Sequence, residues 1–235
     1  MCLIIHKPSE RQIDAEFLRQ AWCQNPDGWG GFHLQDGQPV WAKGLALEEL
    51  VAWNALLPAG TEAYLHLRQA TYGHVNHEMA HPFVVREGLM LMHNGSIHLL
   101  APDDPAISDS AELARLLGDM LAGLEADQAS TVLRSEGFAR LFQPLVGGSR
   151  LVLLDRAGAI RLGQGWHTVA RQEWNAAMHG IEVSNTHAWR SRCAAAQGGR
   201  VRALVALVRR RLAAWRGSLA YLLGLTGLRR RAPGT

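Results

Sequence analysis

Pairs of short apolar strands joined by tight turns are the feature that most constrains how this chain can fold. Residues 30–44 turn at Asp36-Gly37 and residues 82–95 turn at Glu87-Gly88, while residues 149–163 turn at an Arg-Ala-Gly sequence. Such turn residues between apolar runs are typical of β-hairpins, whose two strands are antiparallel. Further single strands are predicted at residues 2–6, 62–68 and 181–186.

Amphipathic helices lie between these strands, but they do not alternate with them one by one. Apolar residues recur at helical spacing in residues 10–24, 46–57 and 108–124. Ser108 or Ser110, with an acidic residue nearby, predicts the start of the third helix. A doubly wound parallel sheet needs a helix between successive strands. The pattern therefore predicts the α+β class, with antiparallel sheets and helices packed outside them.

Charge is distributed unevenly along the 235 residues. Residues 1–189 hold 13 basic and 21 acidic side chains, a balance of −8, whereas residues 190–235 hold 11 arginines and no acidic residue. The net charge of +3 therefore comes from the tail, and it gives no reason to expect nucleic-acid binding by the main domain. We predict a globular domain over residues 1–189 and a basic tail over residues 190–235.

The tail has the periodicity of an amphipathic helix with one basic face. Val201, Val208 and Trp215 recur every seven residues, and Arg202 and Arg209 recur on another face. Several interpretations stay open: contact with an acidic partner, an anionic membrane surface or nucleic acid, docking on the acidic main domain or a second copy, and partial disorder.

Cysteine content and hydropathy bear on the compartment. Cys2, Cys23 and Cys193 are too few, and odd in number, to indicate a disulfide framework. The N-terminus lacks the basic stretch and apolar run of a secretory signal, and no apolar run approaches the ~20 residues that cross a bilayer. We therefore expect a cytoplasmic protein that does not span a membrane.

Five local motifs carry residues suited to catalysis or binding. They are Cys2, NPDGWG at 25–30, HLRQATYG at 66–73, HNGS at 93–96 and SDSAEL at 108–113. Taken singly, each has an ordinary explanation, since Asn-Gly is a common turn and Ser-Asp-Ser a common helix cap.

The five motifs occur together with His81-Pro82-Phe83 and the strand end Val183-Ser184-Asn185-Thr186. This combination resembles the class II glutamine amidotransferases of the N-terminal nucleophile (Ntn) hydrolase superfamily. The resemblance spans residues 2–186.

This resemblance implies a four-layer αββα sandwich of two antiparallel sheets flanked by helices, with no cofactor. It also implies that Asn94 and Gly95 stabilise the oxyanion that forms when a nucleophile attacks the side-chain amide of glutamine. Arg68 would bind the α-carboxylate of glutamine, and Asp109 its α-ammonium group. The implied catalytic residues are Cys2, Asn94 and Gly95, and the implied substrate-binding residues are Arg68, Thr71, His81 and Asp109.

The chemistry of a terminal cysteine agrees with this assignment. A free thiol has a pKa near 8.5 and needs a base, which the α-amino group of Cys2 supplies once Met1 is removed. Attack on glutamine would give a glutamyl thioester, ammonia and then glutamate. About 46 residues follow the recognisable region, which leaves little room for a synthetase domain. We therefore expect the ammonia acceptor to be a separate synthetase or ligase subunit.

Other interpretations of the same residues stay open. The chain could be an Ntn amidohydrolase acting on a γ-glutamyl or other small amide without ammonia transfer, or a catalytically silent binding module. His74, His77 and His81 have ligand-like spacing, but no paired cysteine or carboxylate motif accompanies them, so we expect no metal site. Leu3 departs from the Cys-Gly start of many family members, which raises the question of how the first strand packs beside bound glutamine.

Overall fold

The computed structural model describes residues 2–190. The predicted tail beyond residue 190, and the state of Met1, lie outside these residues. The helices and strands in chain order are β1 (Leu3–Lys7), α1 (Ala15–Trp22), β2 (Trp29–Gln35), β3 (Gln38–Gly44), α2 (Leu47–Leu56), β4 (Ala63–Leu67), β5 (Phe83–Arg86), β6 (Leu89–Asn94), α3 (Asp109–Met120), α4 (Ala126–Leu133), α5 (Glu136–Val146), β7 (Arg150–Asp155), β8 (Gly158–Leu162), β9 (His167–Thr168), β10 (Glu182–Val183) and α6 (His187–Arg190).

The strands form two antiparallel sheets. The first has the order β3-β2-β4-β1-β10-β9, and the second has the order β5-β6-β7-β8. The predicted hairpins are present as β2-β3, β5-β6 and β7-β8. At the first turn Asp36 and Gly37 both have positive φ, 52° and 71°. A two-residue hairpin turn of type I′ requires positive φ at both of its central residues.

The two sheets pack face to face and are covered by helices on both sides. Ile4, Phe32 and Tyr64 of the first sheet meet Met92 and Val152 of the second in one buried cluster. The other face of the second sheet packs on α3, α4 and α5. On the outer side of the first sheet, α2 packs on β2 and β3, and α1 packs on α2. The layers are therefore α, β, β and α, which confirms the predicted α+β class and the four-layer αββα sandwich of two antiparallel sheets.

Helix boundaries follow their capping residues. The first helix begins at Ala15 instead of near residue 10, because the Asp14 carboxylate accepts the Glu16 N–H at 2.9 Å. Of the two candidate caps for α3, Ser108 is the one used, since its hydroxyl accepts the Ala111 N–H at 3.1 Å.

Helices α4, α5 and the short α6 were not predicted. Of these, α5 places Phe138, Phe142 and Val146 on the second sheet. The turn at Arg134–Ser135 and Pro144 inside α5 interrupt the apolar periodicity of residues 126–146. The packing of their apolar stripe on the sheet stabilises them.

Over residues 2–190, no helix combines the length and apolar content that crossing a bilayer demands.

Candidate active site

Cys2 lies at the start of β1, beside the end of β4. Its thiol contacts the backbone of Gln69 on both sides, with Sγ 3.4 Å from the carbonyl oxygen and 3.4 Å from the amide nitrogen. Asn185 donates to the Cys2 carbonyl oxygen at 2.7 Å. The residue keeps partial solvent exposure, while the protein atoms around the sulfur raise the pKa of the thiol through burial.

Arg68 follows β4 and is buried beneath the loop that comes after it. Its guanidinium donates to the carbonyl oxygens of Tyr72 and His74 at 2.8 Å each, and to that of Gly73 at 3.4 Å. Burial lowers the pKa of Arg68, and the neighbouring Cys2 and acidic side chains oppose this shift. A guanidinium has five N–H donors, so these bonds leave donors available for a ligand.

The NPDG turn is a second support of the site, and we had not assigned it a role. Asp27 accepts the Ala70 N–H at 2.8 Å through its carboxylate, and its own N–H donates to the Arg68 carbonyl oxygen at 3.0 Å. The Arg68 N–H donates to Gly28 at 2.7 Å. The turn therefore fixes the backbone that carries both Arg68 and the thiol contact at Gln69. The NPDGWG motif was visible in the sequence, but only its hydrogen bonds with residues 68–70 show that it supports the site.

Asp109 is the first residue of α3 and is buried. One carboxylate oxygen accepts the Ile97 N–H at 2.7 Å, and the other accepts the Ser110 N–H at 2.8 Å. The electrostatic effect of this carboxylate reaches both Cys2 and Arg68. The fold thus brings a cation and an anion, 41 positions apart in the sequence, to the neighbourhood of one thiol.

Asn94 and Gly95 lie at the end of β6, in the second sheet. The Asn94 amide is buried and contacts Ser184 Oγ at 2.6 Å. Ser184 in turn receives the Ile4 N–H at 2.8 Å, so the serine links Asn94 to the strand that carries Cys2. Four of the seven predicted residues are therefore connected through short contacts or electrostatic effects, and Gly95 follows one of them in the chain; the four are Cys2, Arg68, Asn94 and Asp109.

Gly95 has a backbone conformation and surroundings that only glycine fits. Its φ is +147°, and an added Cβ would lie 2.0 Å from Ser149 Oγ. Both the backbone conformation and the space exclude a side chain at this position.

The Gly95→Ala variant is expected to lose about 2–4 kcal/mol of unfolding free energy, because backbone strain and overlap with buried Ser149 add. Gly123→Ala is the matched control, since Gly123 also has positive φ, +78°, with open space around its Cβ position; it should cost about 1 kcal/mol. Urea unfolding of both variants measures the difference. Equal losses would contradict this account of Gly95.

The two remaining predicted residues lie differently. Thr71 is exposed on the loop after Arg68. His81 is buried, with its ring stacked on His66 at a centroid distance of 3.8 Å and edge-on to Phe83 at 4.7 Å. Its carbonyl oxygen passes so close to β2 that a Cβ on Gly30 would come within 1.6 Å, so Gly30 permits this crossing.

His66, His81 and His93 form a buried histidine cluster. His66 Nε2 contacts the His93 carbonyl oxygen at 3.1 Å, and His93 Nδ1 contacts Ser110 Oγ at 2.8 Å. Within residues 2–190 the other ring nitrogens of the cluster, including both of His81, have no hydrogen-bond partner. Burial lowers the pKa of His66 to about 3 and that of His93 to about 4, and it holds the pKa of His81 well below 6.5.

This cluster predicts a loss of stability in mild acid. The unfolded chain binds these protons below pH 6.5 while the folded chain stays neutral, so the unfolding free energy falls as pH falls. At pH 5 we expect His66 and His93 to cost up to about 2 kcal/mol each. The difference between the urea midpoints at pH 7 and pH 5 should be smaller in His81→Leu than in the wild type, and it should be unchanged in His77→Gln, which alters an exposed histidine. An unchanged pH dependence in His81→Leu would contradict the prediction.

For a metal, the described residues offer no suitable cluster of three or more His, Cys, Asp or Glu side chains. His77 is exposed whereas His81 is buried against His66. The ligand-like spacing of residues 74–81 therefore does not translate into a common site in this part of the chain.

Comparison with known proteins gives matches among solved structures. No protein-family model and no curated protein matches the chain. A glutamine phosphoribosylpyrophosphate amidotransferase from B. subtilis, solved with ADP and GMP, is 16% identical with a TM-score of 0.47, over 80% of this chain and 42% of that one. An allosteric regulatory enzyme of purine biosynthesis is 17% identical with a TM-score of 0.41, over 66% and 36%.

A glutamine aminotransferase class-II domain protein from Silicibacter pomeroyi is 18% identical with a TM-score of 0.37, over 78% of this chain and 87% of that one. The chain spans less than half the length of the first two structures. At these identities and TM-scores, none of the three assigns a substrate or partner to this chain. The chemistry must therefore be argued from the site itself.

Proposed function

We propose that this protein is a glutamine amidotransferase-type glutaminase whose nucleophile is Cys2 at a processed N-terminus. The observation that carries the proposal is one cysteine of intermediate exposure whose thiol has a buried arginine and a buried carboxylate as charged neighbours. A free α-amino acid bears a carboxylate and an ammonium group, so its recognition needs one cation and one anion. Arg68 and Asp109 meet that need for glutamine.

The raised pKa of Cys2 supports a mechanism with a general base. Burial raises the pKa of the thiol and so favours its protonated form, and the sulfur contacts the backbone N–H and carbonyl of Gln69. The α-amino group of Cys2, with an ordinary pKa of about 8, takes this role once Met1 is cleaved. One residue then provides both nucleophile and base.

The proposed reaction proceeds through a thioester. The α-amine takes the thiol proton while sulfur attacks the side-chain carbonyl carbon of glutamine, and Asn94 and the Gly95 N–H stabilise the resulting oxyanion. The C–N bond breaks, the amine returns the proton to the leaving nitrogen, and ammonia departs. Water then cleaves the thioester, releasing glutamate and restoring the thiol.

Leu3 is compatible with this chemistry. Its side chain is fully buried, and its backbone pairs with Leu67 of β4. Successive side chains of a strand point to opposite faces, and Ile4 faces the second sheet. Leu3 therefore projects away from the face between the sheets, where Asn94 meets Ser184.

N-terminal processing and substrate choice test the proposal together. Intact-mass measurement should show a chain that lacks Met1, and this chain should release ammonia and glutamate from glutamine. Parallel assays with γ-N-alkylated glutamines distinguish the two enzyme hypotheses: preference for the substituted amides would favour the amidohydrolase. Retained Met1 together with an unreactive thiol would favour the silent binding module and overturn both.

We further propose that the ammonia goes to a synthetase or ligase on a separate chain. Such a partner would activate a carboxylate or similar group, because ammonia is a weak nucleophile that needs an activated acceptor. Affinity purification of the processed protein followed by ATP-dependent amide formation tests this. Recovery of glutaminase activity alone, with no acceptor that accelerates it, would contradict the partner proposal and leave the glutaminase intact.

A further inference from the structure

One end of the Asn94 side-chain amide contacts Ser184, and the other end has no hydrogen-bond partner among the described residues. With its nitrogen directed at Ser184 Oγ, 2.6 Å away, its oxygen is buried and has no partner among the described residues. Ser184 Oγ then acts as acceptor in both contacts, since it also receives the Ile4 N–H at 2.8 Å. A buried acceptor without a donor is unfavourable.

The opposite amide orientation gives the Ser184 hydroxyl proton an acceptor and changes which atom occupies the free position. The oxygen and nitrogen of an asparagine side chain occupy equivalent positions, so the surrounding bonds decide which is which. If the oxygen faces Ser184, the serine accepts from Ile4 and donates its own hydroxyl proton to Asn94. The free position then holds the amide nitrogen, a donor that awaits an acceptor.

We propose that Ser184 is a positioning residue that turns the Asn94 amide so that its nitrogen is the free, preorganised donor of the site. This inference rests on the proposed glutaminase, because the acceptor it prepares for is the oxyanion of the tetrahedral intermediate. The oxyanion supplies the bond that the free N–H lacks in the resting protein, so the interaction favours the transition state over the ground state.

The position of Ser184 fits this role. It is fully buried, and its own N–H donates to the Ile4 carbonyl oxygen at 2.9 Å. The next residue, Asn185, donates to the Cys2 carbonyl oxygen at 2.7 Å. Residues 184 and 185 therefore fix the backbone of residues 2–4, which carries the nucleophile, and Ser184 also contacts Asn94 of the second sheet. Ser184 thus connects the two sheets at the site.

A double-mutant cycle tests the inference. Ser184→Ala should lower kcat for ammonia release by about 10–100-fold with KM within about twofold, and Asn94→Ala should lower kcat by about 100–1000-fold. Since Ser184 acts through Asn94, the double variant should be no slower than Asn94→Ala. Ser135→Ala, which removes the cap of α5 far from the site, should keep the wild-type kcat. Additive losses, a pure KM effect or an unchanged kcat in Ser184→Ala would overturn the proposal.

Neutron diffraction from deuterated crystals of the wild type locates the protons in the Ser184–Asn94 hydrogen bond. This measurement depends neither on turnover nor on the folding of a variant. We expect deuterium on the Ser184 hydroxyl directed at Asn94, and the two amide deuterons on the side facing away from Ser184. An Asn94 deuteron directed at Ser184 would overturn the inference even in an active glutaminase. An inactive wild type with the expected bond would instead refute the glutaminase and leave the amide orientation standing.

Discussion

Cys2→Ala is expected to reduce ammonia release from glutamine by at least about 10⁴-fold, because it removes the atom that forms the thioester. The effect on folding should be small, since the Cys2 contacts that organise the site use its backbone: Asn185 bonds its carbonyl oxygen, and β1 pairs with β4 beyond it. Steady-state kinetics and a thermal melt on the same preparation measure the two quantities separately.

Covalent labelling provides the control for this variant. A glutamine-derived electrophile should label the wild type once, at Cys2, and free glutamine should protect against it. Cys2→Ser should fold normally, keep glutamine binding and lose most of the turnover, because an alcohol is a weaker nucleophile than a thiol at neutral pH. Wild-type turnover in Cys2→Ala would refute the mechanism outright.

Arg68→Lys is expected to raise the KM for glutamine by about 30–150-fold, which corresponds to the ~2–3 kcal/mol of a charge-assisted hydrogen bond. Lysine keeps the charge but has a single nitrogen, so it cannot hold the Tyr72 and His74 carbonyl oxygens and also present a fork to a carboxylate. The matched control is Arg115→Lys, which alters an exposed arginine paired with Glu112 and Asp119.

A second substrate separates carboxylate binding from support of the loop. The α-amide of glutamine lacks the charged carboxylate, so its KM should change little between the wild type and Arg68→Lys. If both substrates lose affinity equally, Arg68 acts only by holding the loop at residues 72–74. If neither loses affinity in a folded variant, Arg68 takes no part in substrate recognition.

The sequence predicted most of the β-structure because hairpins are encoded locally. Asp36-Gly37 adopts the turn that its residue types favour, and the capping serine before α3 is among the two candidates. Helices α4 and α5 were missed because their stability depends on a sheet that a local pattern does not contain. The contact that excludes a side chain at Gly95 also lies beyond any local pattern, because Ser149 is 54 positions away.

The sequence by itself determined the fold class, the hairpins and the set of polar motifs, since turn chemistry and apolar periodicity act over a few residues. It also supplied the resemblance that singled out Cys2, Arg68, Asn94 and Asp109. Only the tertiary structure showed which of these residues lie near one another, what holds them there and which hydrogen bonds the NPDG turn and Ser184 make. Such long-range hydrogen bonds form between segments that only the packing of two sheets brings together.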